Sequence, residues 1–160
     1  MENNLNKFLK ELSKKKIDFY MISSSDENLN EYVPEENKRL QWLTNFSGSN
    51  GIALISKKKK YFFTDGRYLL QAKKEIEEDF QIIDLSDEDF FSFLKKTISN
   101  KKLLIDFKLF KVNFIKNLIK TSQSSSLKIK HDKDNLIDKI WENRPLEKTR
   151  EIFFINNEIS

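Results

Sequence analysis

The sequence predicts an α/β fold, a three-layer domain in which a mixed sheet of about six strands has helices on both faces. Two observations lead to this prediction. Short apolar runs typical of strands alternate along the chain with longer segments in which apolar residues recur at helical spacing. The 160 residues also include 14 Phe but only 3 Gly and 2 Pro, which indicates regular elements joined by few sharp turns.

The N-terminal part of the chain is predicted to form a helix, a strand and a second helix. Apolar residues at helical spacing mark the first helix: Leu5, Phe8, Leu9 and Leu12. The apolar run 19–22 predicts a strand, and the serines after it predict a loop. The second helix is expected over about 30–45, with Pro34 near its start, where proline is tolerated.

A β-hairpin is predicted in the middle of the chain. Its two buried strands, 52–55 and 61–64, are separated by the run Lys57–Lys60, a polar tip that discourages edge pairing. The segment Asp65–Tyr68 is expected to open a helix that continues to about Ile76. The residues predicted to face inward on this helix are Leu69, Leu70 and Ala72.

Strands and helices continue to alternate in the second half of the chain. Residues 80–85 and 103–105 have the apolar character of buried strands. Ser86, with Asp89 three positions later, resembles a capping box and predicts a helix from there to Ile98. The next helix is predicted from an apolar stripe: Val112, Ile115, Leu118 and Ile119.

The last predicted elements are a loop, an edge strand and a short helix. The serine-rich stretch 122–126 is expected to be a mobile loop. Residues 127–130 alternate Leu or Ile with Lys, a pattern typical of a half-exposed strand at a sheet edge. The helix covers 136–141 and ends before Pro145.

These elements define one predicted domain over residues 1–146. The apolar run 152–155 starts a new element shortly before the sequence stops. Residues 147–160 are therefore interpreted as a linker and the truncated start of a second domain.

The composition excludes several kinds of site. Zero Cys excludes disulfides, thiol nucleophiles and iron–sulfur clusters, and a single His, His131, excludes metal sites that need two histidines. These counts leave carboxylate chemistry or substrate contact as the ways for the chain to take part in catalysis, and none of its paired acids is placed like an acid/base pair. We expect no catalytic residue, no metal and no cofactor in this chain. His131 itself is expected at the surface, whereas Trp42 and Trp141 are expected to be core or interface anchors.

The charge and the N-terminus bear on partners and location. The net charge of +4 comes mostly from Lys scattered among Asp and Glu, which predicts a solvated surface and no nucleic-acid binding. The sequence has neither the pattern of a secretory signal nor an apolar run of membrane-spanning length. We expect a cytoplasmic protein that does not bind membranes.

Two local motifs have structural explanations. The turn-rich loop Phe46–Gly51 precedes a strand, whereas a nucleotide-binding loop follows a strand and opens a helix, so we predict a tight structural turn. Asp65 and Arg67 flank Gly66, and a carboxylate–guanidinium pair is expected to fix the strand-to-helix turn there.

Three separated motifs, in this order, resemble the N-terminal domain of Xaa-Pro aminopeptidases, also called aminopeptidase P. The first comprises Ser24–Glu35, Lys38–Arg39 and Trp42–Gly51, the second is Thr64–Ala72 and the third Asn135–Pro145, and the similarity extends over about 17–145. The sequence departs from the family pattern at Asn28, Asn45 and Leu69. The resemblance implies the fold of the creatinase/prolidase N-terminal domain.

The resemblance also implies a function and partners. This chain would be the non-catalytic first domain of a three-domain enzyme that removes the N-terminal residue of peptides with Pro at position two. It would be inactive alone, because a dinuclear site of manganese or another divalent metal is expected in a catalytic domain outside this chain. Its partners would be its own second and catalytic domains, a second copy in a homodimer, and the peptide substrate.

In such an enzyme the domain would shape the substrate cleft and the dimer. The candidate residues for these contacts are Phe46, Ser49, Asn50, Arg67 and Tyr68. One alternative is a non-catalytic peptide- or protein-binding module, as in a histone-chaperone subunit of related fold, and another is the N-terminal domain of a prolidase or creatinase. The motif 64–68 argues against the first alternative, and the segment 135–145 favours the three-domain aminopeptidase over the second.

Overall fold

The computed structural model describes residues 2–148, which form one six-stranded sheet with helices on both faces. The strands are β1 (Phe19–Ser23), β2 (Ile52–Ile55), β3 (Lys60–Thr64), β4 (Phe80–Asp84), β5 (Lys102–Ile105) and β6 (Lys128–His131). The helices are α1 (Asn4–Ser13), α2 (Arg39–Thr44), α3 (Leu69–Glu75), α4 (Phe90–Thr97), α5 (Val112–Ser125) and α6 (Leu136–Ile140), with short 3₁₀ turns at Glu35–Asn37 and Phe107–Leu109. No helix within this range is both long and apolar enough to cross a bilayer.

The sheet is mixed, in the order β4-β3-β2-β1-β5-β6. Strand β2 runs antiparallel to both β1 and β3, and the other neighbours pair in parallel. Five strands therefore point the same way, and their C-terminal ends lie with the start of β2 along one edge of the sheet, which we call the carboxyl edge. The opposite edge, with the β2–β3 turn, is called the amino edge. The predicted mixed sheet and its hairpin are confirmed.

The two faces of the sheet are covered by different helices, because successive strand residues point to opposite faces. On one face, Phe8 of α1 packs edge-on against Tyr20 of β1, with ring centroids 4.9 Å apart. On the other face, Phe63 of β3 packs against Phe90 of α4 at 4.8 Å. Helices α2 and α6 lie beside α1, and α5 lies beside α4. The predicted three-layer arrangement is thus confirmed.

Three helix boundaries differ from the prediction, and at two of them the local hydrogen bonds show the difference. The segment expected to be helical over 30–45 is helical only in the 3₁₀ turn and in α2. Helix α4 begins at Phe90 and is capped by Asp89, whereas Ser86 donates to Asp84 in the preceding turn. The serines expected in a mobile loop continue α5 to Ser125, whose hydroxyl donates to the Thr121 carbonyl at 2.7 Å.

Three apolar residues that the sequence predicts on the inward faces of their helices are exposed. Leu70 of α3 is 75% exposed, and on α5 Val112 is 69% and Ile119 44% exposed. On the same helices Ala72 and Leu118 are fully buried, as predicted. The predicted new element at 152–155 lies outside the described residues.

Candidate functional site

The carboxyl edge carries an aspartate at or just beyond the end of each of the five same-direction strands. They are Asp26, Asp65, Asp84, Asp106 and Asp132. Each accepts a hydrogen bond from a backbone N–H two to four residues farther along, at 2.7–3.1 Å. These carboxylates therefore fix the loops of the edge. Within residues 2–148 no group of three or more His, Asp or Glu side chains could hold a metal ion.

The five candidate residues meet at the carboxyl edge, in a rim made of residues 46–51 and 65–68. The Ser49 hydroxyl lies 2.6 Å from the Tyr68 hydroxyl, and the Asn50 amide donates to Asp65 at 2.7 Å. Arg67 donates through Nε and Nη2 to the two oxygens of Asp65, at 3.0 and 2.9 Å. The predicted Asp65–Arg67 pair is confirmed, and side-chain bonds join the two halves of the rim.

Phe46 supports the rim from below. Its ring is 1% exposed and packs edge-on against Phe62 of β3, with centroids 4.7 Å apart, and against Tyr68 at 6.0 Å. The Arg67 side chain, by contrast, is 75% exposed, and its guanidinium lies 5.3 Å from the centroid of the Tyr68 ring. Phe46 can therefore act on a ligand only by positioning the rim, whereas Arg67 can touch one.

A second anchor ties the rim to α3. Glu75 accepts hydrogen bonds from both the backbone N–H and the hydroxyl of Ser47, each at 2.8 Å. Gln71, one turn earlier on the helix, donates to the same hydroxyl and to Glu75. The rim is thus held at both ends, which favours a single loop conformation.

The electrostatics of the rim keep both members of its ion pair charged. The side-chain hydrogen bonds from Arg67, and next those from Asn50, hold the pKa of Asp65 well below its usual range. The same contact raises the pKa of Arg67. At neutral pH the rim therefore presents a fixed guanidinium beside a fixed carboxylate.

A cleft of about 390 Å³ lies next to the rim, between it and the loop that follows β1. Its walls include Ser24, Asn30, Tyr32, Lys38, Gln41 and Ser49. The ring of Tyr32 is 86% exposed. Phe46 and Ser49, which also line the cleft, are the lining residues that the sequence predicts as candidate contacts. Tyr32, an aromatic residue within a charged segment, was a signal that could have identified the other wall.

The loop beside the cleft is organised by Asp26, which is fully buried. Its carboxylate accepts from the backbone N–H groups of Asn28 and Asn30, at 3.1 and 2.9 Å, and from the Asn30 side chain at 2.8 Å. Burial alone would raise the pKa of Asp26, but these hydrogen bonds outweigh it and leave the pKa below its usual value. The ionised carboxylate therefore stabilises this loop.

Replacing Asp26 with Asn should lower the free energy of unfolding by about 1–2 kcal/mol at pH 7, because the charge-assisted hydrogen bonds are lost. A depressed folded-state pKa contributes stability that is present above the unfolded pKa of about 4 and is lost as pH falls through the folded value. The difference in free energy of unfolding between wild type and variant should therefore be smaller in acid. Urea unfolding at pH 7 and near pH 3 measures this difference, and Asp134→Asn, at an exposed position, is the control. A difference of the same size at both pH values would contradict this explanation.

An ion-pair network centred on a buried arginine, which the sequence did not predict, joins three parts of the fold near the cleft. The Arg39 side chain is 2% exposed and donates to both oxygens of Asp138 on α6, at 2.7 and 2.9 Å. It also donates to Glu27 at 2.5 Å, and Arg144 approaches Asp138 at 3.0 Å. The network joins the loop after β1, helix α2 and helix α6.

Trp42 and Trp141 stack in the same region, with centroids 5.7 Å apart, so the predicted interface anchors join α2 to the end of α6. His131 is half buried instead of lying at the surface. Its Nδ1 accepts from the Phe107 backbone N–H at 3.2 Å, and its ring stacks on that of Phe107. The histidine is thus a structural residue of the carboxyl edge.

Comparison with known proteins assigns the fold to a family. The sequence profile described as the Creatinase/Prolidase N-terminal domain matches residues 4–139. The chain belongs to this family. The resemblance noted from its motifs is confirmed.

Relatives of this creatinase/prolidase N-terminal domain include named peptidases. A probable Xaa-Pro aminopeptidase P of Laccaria bicolor is 30% identical over 154 residues, which cover 92% of this chain and 24% of the relative. Xaa-Pro aminopeptidase 1 of Dictyostelium discoideum is 31% identical over 144 residues, covering 86% of this chain and 22% of the relative. The domain thus spans about a quarter of the length of the curated relatives it matches.

Solved structures share the fold. The X-prolyl aminopeptidase of Caenorhabditis elegans superimposes with a TM-score of 0.76 at 24% identity, over 84% of this chain and 23% of that one. The aminopeptidase P structure from Streptococcus thermophilus gives a TM-score of 0.61 at 20% identity, over 86% of this chain and 94% of that one. The C. elegans protein is described as a cytosolic enzyme with a di-nuclear active site.

A di-nuclear metal does not fit the described part of this creatinase/prolidase N-terminal domain. Its edge carboxylates lie at the ends of different strands, each accepts hydrogen bonds within a turn, and residues 2–148 offer no cluster of metal ligands. No catalytic step is therefore assigned to a metal held by these residues.

Proposed function

We propose that this chain is the non-catalytic N-terminal domain of an Xaa-Pro aminopeptidase, an enzyme that removes the N-terminal residue of peptides with Pro at position two. In this proposal the domain shapes the substrate cleft and the dimer of that enzyme. The names of the sequence relatives and the short span of each that the domain matches support it. The structural part of the proposal depends on one observation, the rim of the carboxyl edge, whose conformation is fixed by hydrogen bonds and by the buried Phe46.

The rim has the properties expected of a rigid surface that borders the substrate cleft of the proposed enzyme. Its loop is supported from below by the buried Phe46 and held laterally by the Ser49–Tyr68 and Asn50–Asp65 bonds. Such bracing lowers the entropy that ordering on contact would cost. The exposed Arg67 guanidinium is fixed in orientation by Asp65 and can bind a carboxylate of a peptide or of a second subunit.

The proposal includes the expected partners and surroundings. The second and catalytic domains would follow this one in the polypeptide, and the catalytic domain would hold a dinuclear site of manganese or another divalent metal. The enzyme would be a cytoplasmic homodimer that binds neither nucleic acids nor membranes. The cytosolic C. elegans enzyme with its di-nuclear active site supports location and metal.

Prolidase and dipeptidase relatives are the competing class. The prolidase of Pyrococcus horikoshii and an Xaa-Pro dipeptidase of Bacillus anthracis share the fold, with TM-scores of 0.58 and 0.60 at 15% and 19% identity. At such identities the likeness supports only the fold. The aminopeptidase names of the sequence relatives favour the proposed class.

In the polypeptide that joins this domain to its peptidase domain, Arg67→Ala should lower kcat/KM for Xaa-Pro peptides by about tenfold, equivalent to one charge-assisted contact of about 1.4 kcal/mol. The effect should depend on peptide length, because the rim acts as a wall. Tyr68→Phe should have a smaller effect on the dependence of kcat/KM on peptide length. Steady-state kinetics on peptides of increasing length and sedimentation measurements of the dimer test this.

Lys120→Ala, at an exposed position of α5, is the control and should behave as wild type. Unchanged length preference and unchanged dimerisation in both rim variants would show that the rim only stabilises the fold. Absence of Xaa-Pro peptidase activity in the wild-type polypeptide would refute the proposed enzyme class itself.

A further inference from the structure

The amino edge of the sheet, opposite the rim, concentrates positive charge. Lysines come together there from the turn after α1, the β2–β3 turn, the start of β5 and strand β6. The nine exposed lysines are Lys15, Lys16, Lys57, Lys58, Lys59, Lys101, Lys102, Lys128 and Lys130. This edge departs from the evenly mixed surface that the sequence predicts, because residues distant in the chain become neighbours.

These lysines are not neutralised by acids of the described chain. Within residues 2–148, none of the nine lies within 4.0 Å of a carboxylate, whereas the nearby Lys14 and Lys60 pair with Glu11 and Asp79. Of the residues that line the clefts at this edge, only Asp18 is acidic, and one of its oxygens accepts from the backbone N–H of Lys102 at 2.8 Å. The positive charge of this edge therefore faces solvent.

Two adjoining clefts run along the same edge. One has a volume of about 510 Å³ and lies between α1 and the β2–β3 turn. The other has a volume of about 460 Å³ and lies over the starts of β5 and β6. They share Lys15 and Ile17 and therefore adjoin each other, and the two clefts together are called the groove. The groove has an apolar floor: Leu9, Leu12, Ile17 and Phe19.

The chemistry of the groove selects its occupant. Lysines on both sides of an apolar floor complement an acidic chain that also carries an apolar side chain. Single-stranded nucleic acid is disfavoured, because no Arg and no exposed aromatic ring of residues 2–148 lines the groove for base stacking. A flat bilayer is disfavoured because the large exposed apolar side chains of the described domain, such as Tyr32 and Leu70, lie elsewhere, and the apolar floor is recessed between lysines.

We propose that the amino edge binds an acidic segment of a partner protein, in which Asp or Glu residues flank a bulky apolar side chain that enters the groove. The groove is at the opposite edge from the rim, so its occupancy is compatible with contacts made there. This inference does not depend on the proposed peptidase function.

The test uses the whole 160-residue chain and a fluorescein-labelled synthetic peptide in which glutamates flank one leucine and one phenylalanine. Fluorescence anisotropy should show saturable binding that weakens several-fold when the ionic strength rises from about 0.05 M to about 0.3 M. A peptide with Gln in place of every Glu, and one with Ser in place of Leu and Phe, should each bind at least about tenfold more weakly.

Charge reversal locates the site. The triple substitution Lys57→Glu, Lys58→Glu and Lys59→Glu should weaken peptide binding at least about tenfold. The Ser56 hydroxyl holds that turn through hydrogen bonds with the backbone of Lys58 and Lys59. These bonds do not involve the lysine side chains, so the fold should persist in the triple variant. A second variant, Lys15→Gln with Lys101→Gln, removes positive charge from the larger cleft, including its shared residue Lys15, without introducing negative charge.

The matched control reverses three exposed lysines on or beside α5, namely Lys111, Lys116 and Lys120, and should leave affinity within about twofold of wild type. Equal losses in the control and amino-edge variants would overturn the proposal, because they would show only a net-charge effect. Tighter binding of a poly(U) oligonucleotide or of phosphatidylserine vesicles than of the acidic peptide would also overturn it, in favour of a nucleic-acid or membrane surface.

Discussion

Arg39→Met should lower the free energy of unfolding by about 3 kcal/mol. The substitution keeps a long side chain in the buried position but leaves the carboxylates of Glu27 and Asp138 without their shared cation. Removing the buried cation is costly because the side chains of the two acids, which are only 32% and 25% exposed, stay partly shielded from water. Arg144 still contacts Asp138, so it would compensate only one of the two acids.

Urea unfolding at neutral pH, followed by far-UV circular dichroism, measures this loss. Arg67→Met is the matched control, because Arg67 also pairs with an aspartate through two nitrogens but its side chain is 75% exposed, compared with 2% for Arg39. An exposed pair contributes only a few tenths of a kcal/mol up to about 1 kcal/mol. Equal losses in the two variants would mean that burial of Arg39 adds nothing to its importance.

Gly48→Ala should destabilise the domain by about 2 kcal/mol and should also disturb the rim. A Cβ atom at this position would lie 2.8 Å from Cε1 of Phe46 and 2.9 Å from Cδ1 of Tyr68. The Phe46 ring cannot easily move away, because it is buried against Phe62. The rim and its buried support should therefore shift together, which links stability to the proposed contact surface.

Gly66→Ala provides the control within the same rim. In the described part of the chain no atom of another residue, apart from the two chain neighbours, lies within 4 Å of a Cβ built at Gly66, so this substitution should change the free energy of unfolding by less than about 0.5 kcal/mol. Thermal unfolding of both variants, with the Tyr68 ring resonances as a probe of the rim, separates the two cases. Wild-type stability and unchanged resonances in Gly48→Ala would show that the loop relaxes freely and that Phe46 does not support it.

Much of the fold could be predicted from the sequence because it follows from periodic apolar patterns. The hairpin, the edge strand β6 and the alternation of layers depend on which face of an element is apolar, and this is written locally in the chain. The helix starts were harder to predict, because Asp89 and Ser86 are both good capping residues and only the hydrogen bonds of the folded turn distinguish them. The C-terminal end of α5 was likewise hard to predict. Its serines lie in a helix where a loop was expected, and the Ser125 hydroxyl donates to the Thr121 carbonyl one turn earlier.

The candidate site was only partly predictable. The rim residues were identified through family motifs, and their mutual hydrogen bonds agree with a common location, although their contact with a substrate or a second subunit stays a prediction. Arg39 and Asp138 are 99 positions apart, so no local pattern could pair them. The basic groove has the same origin, because its lysines come from four separate turns and strands that only the sheet order brings together.

The stacked pair Trp42–Trp141 gives the domain an optical reporter of one particular contact, since these are the only two indoles in the chain. Their fluorescence emission reports on the contact between α2 and the end of α6, and strands β3 and β4 contain no tryptophan that would contribute to it. If far-UV ellipticity and tryptophan emission change together, the domain unfolds cooperatively. If emission changes first, α6 has separated from α2 while the sheet is still folded.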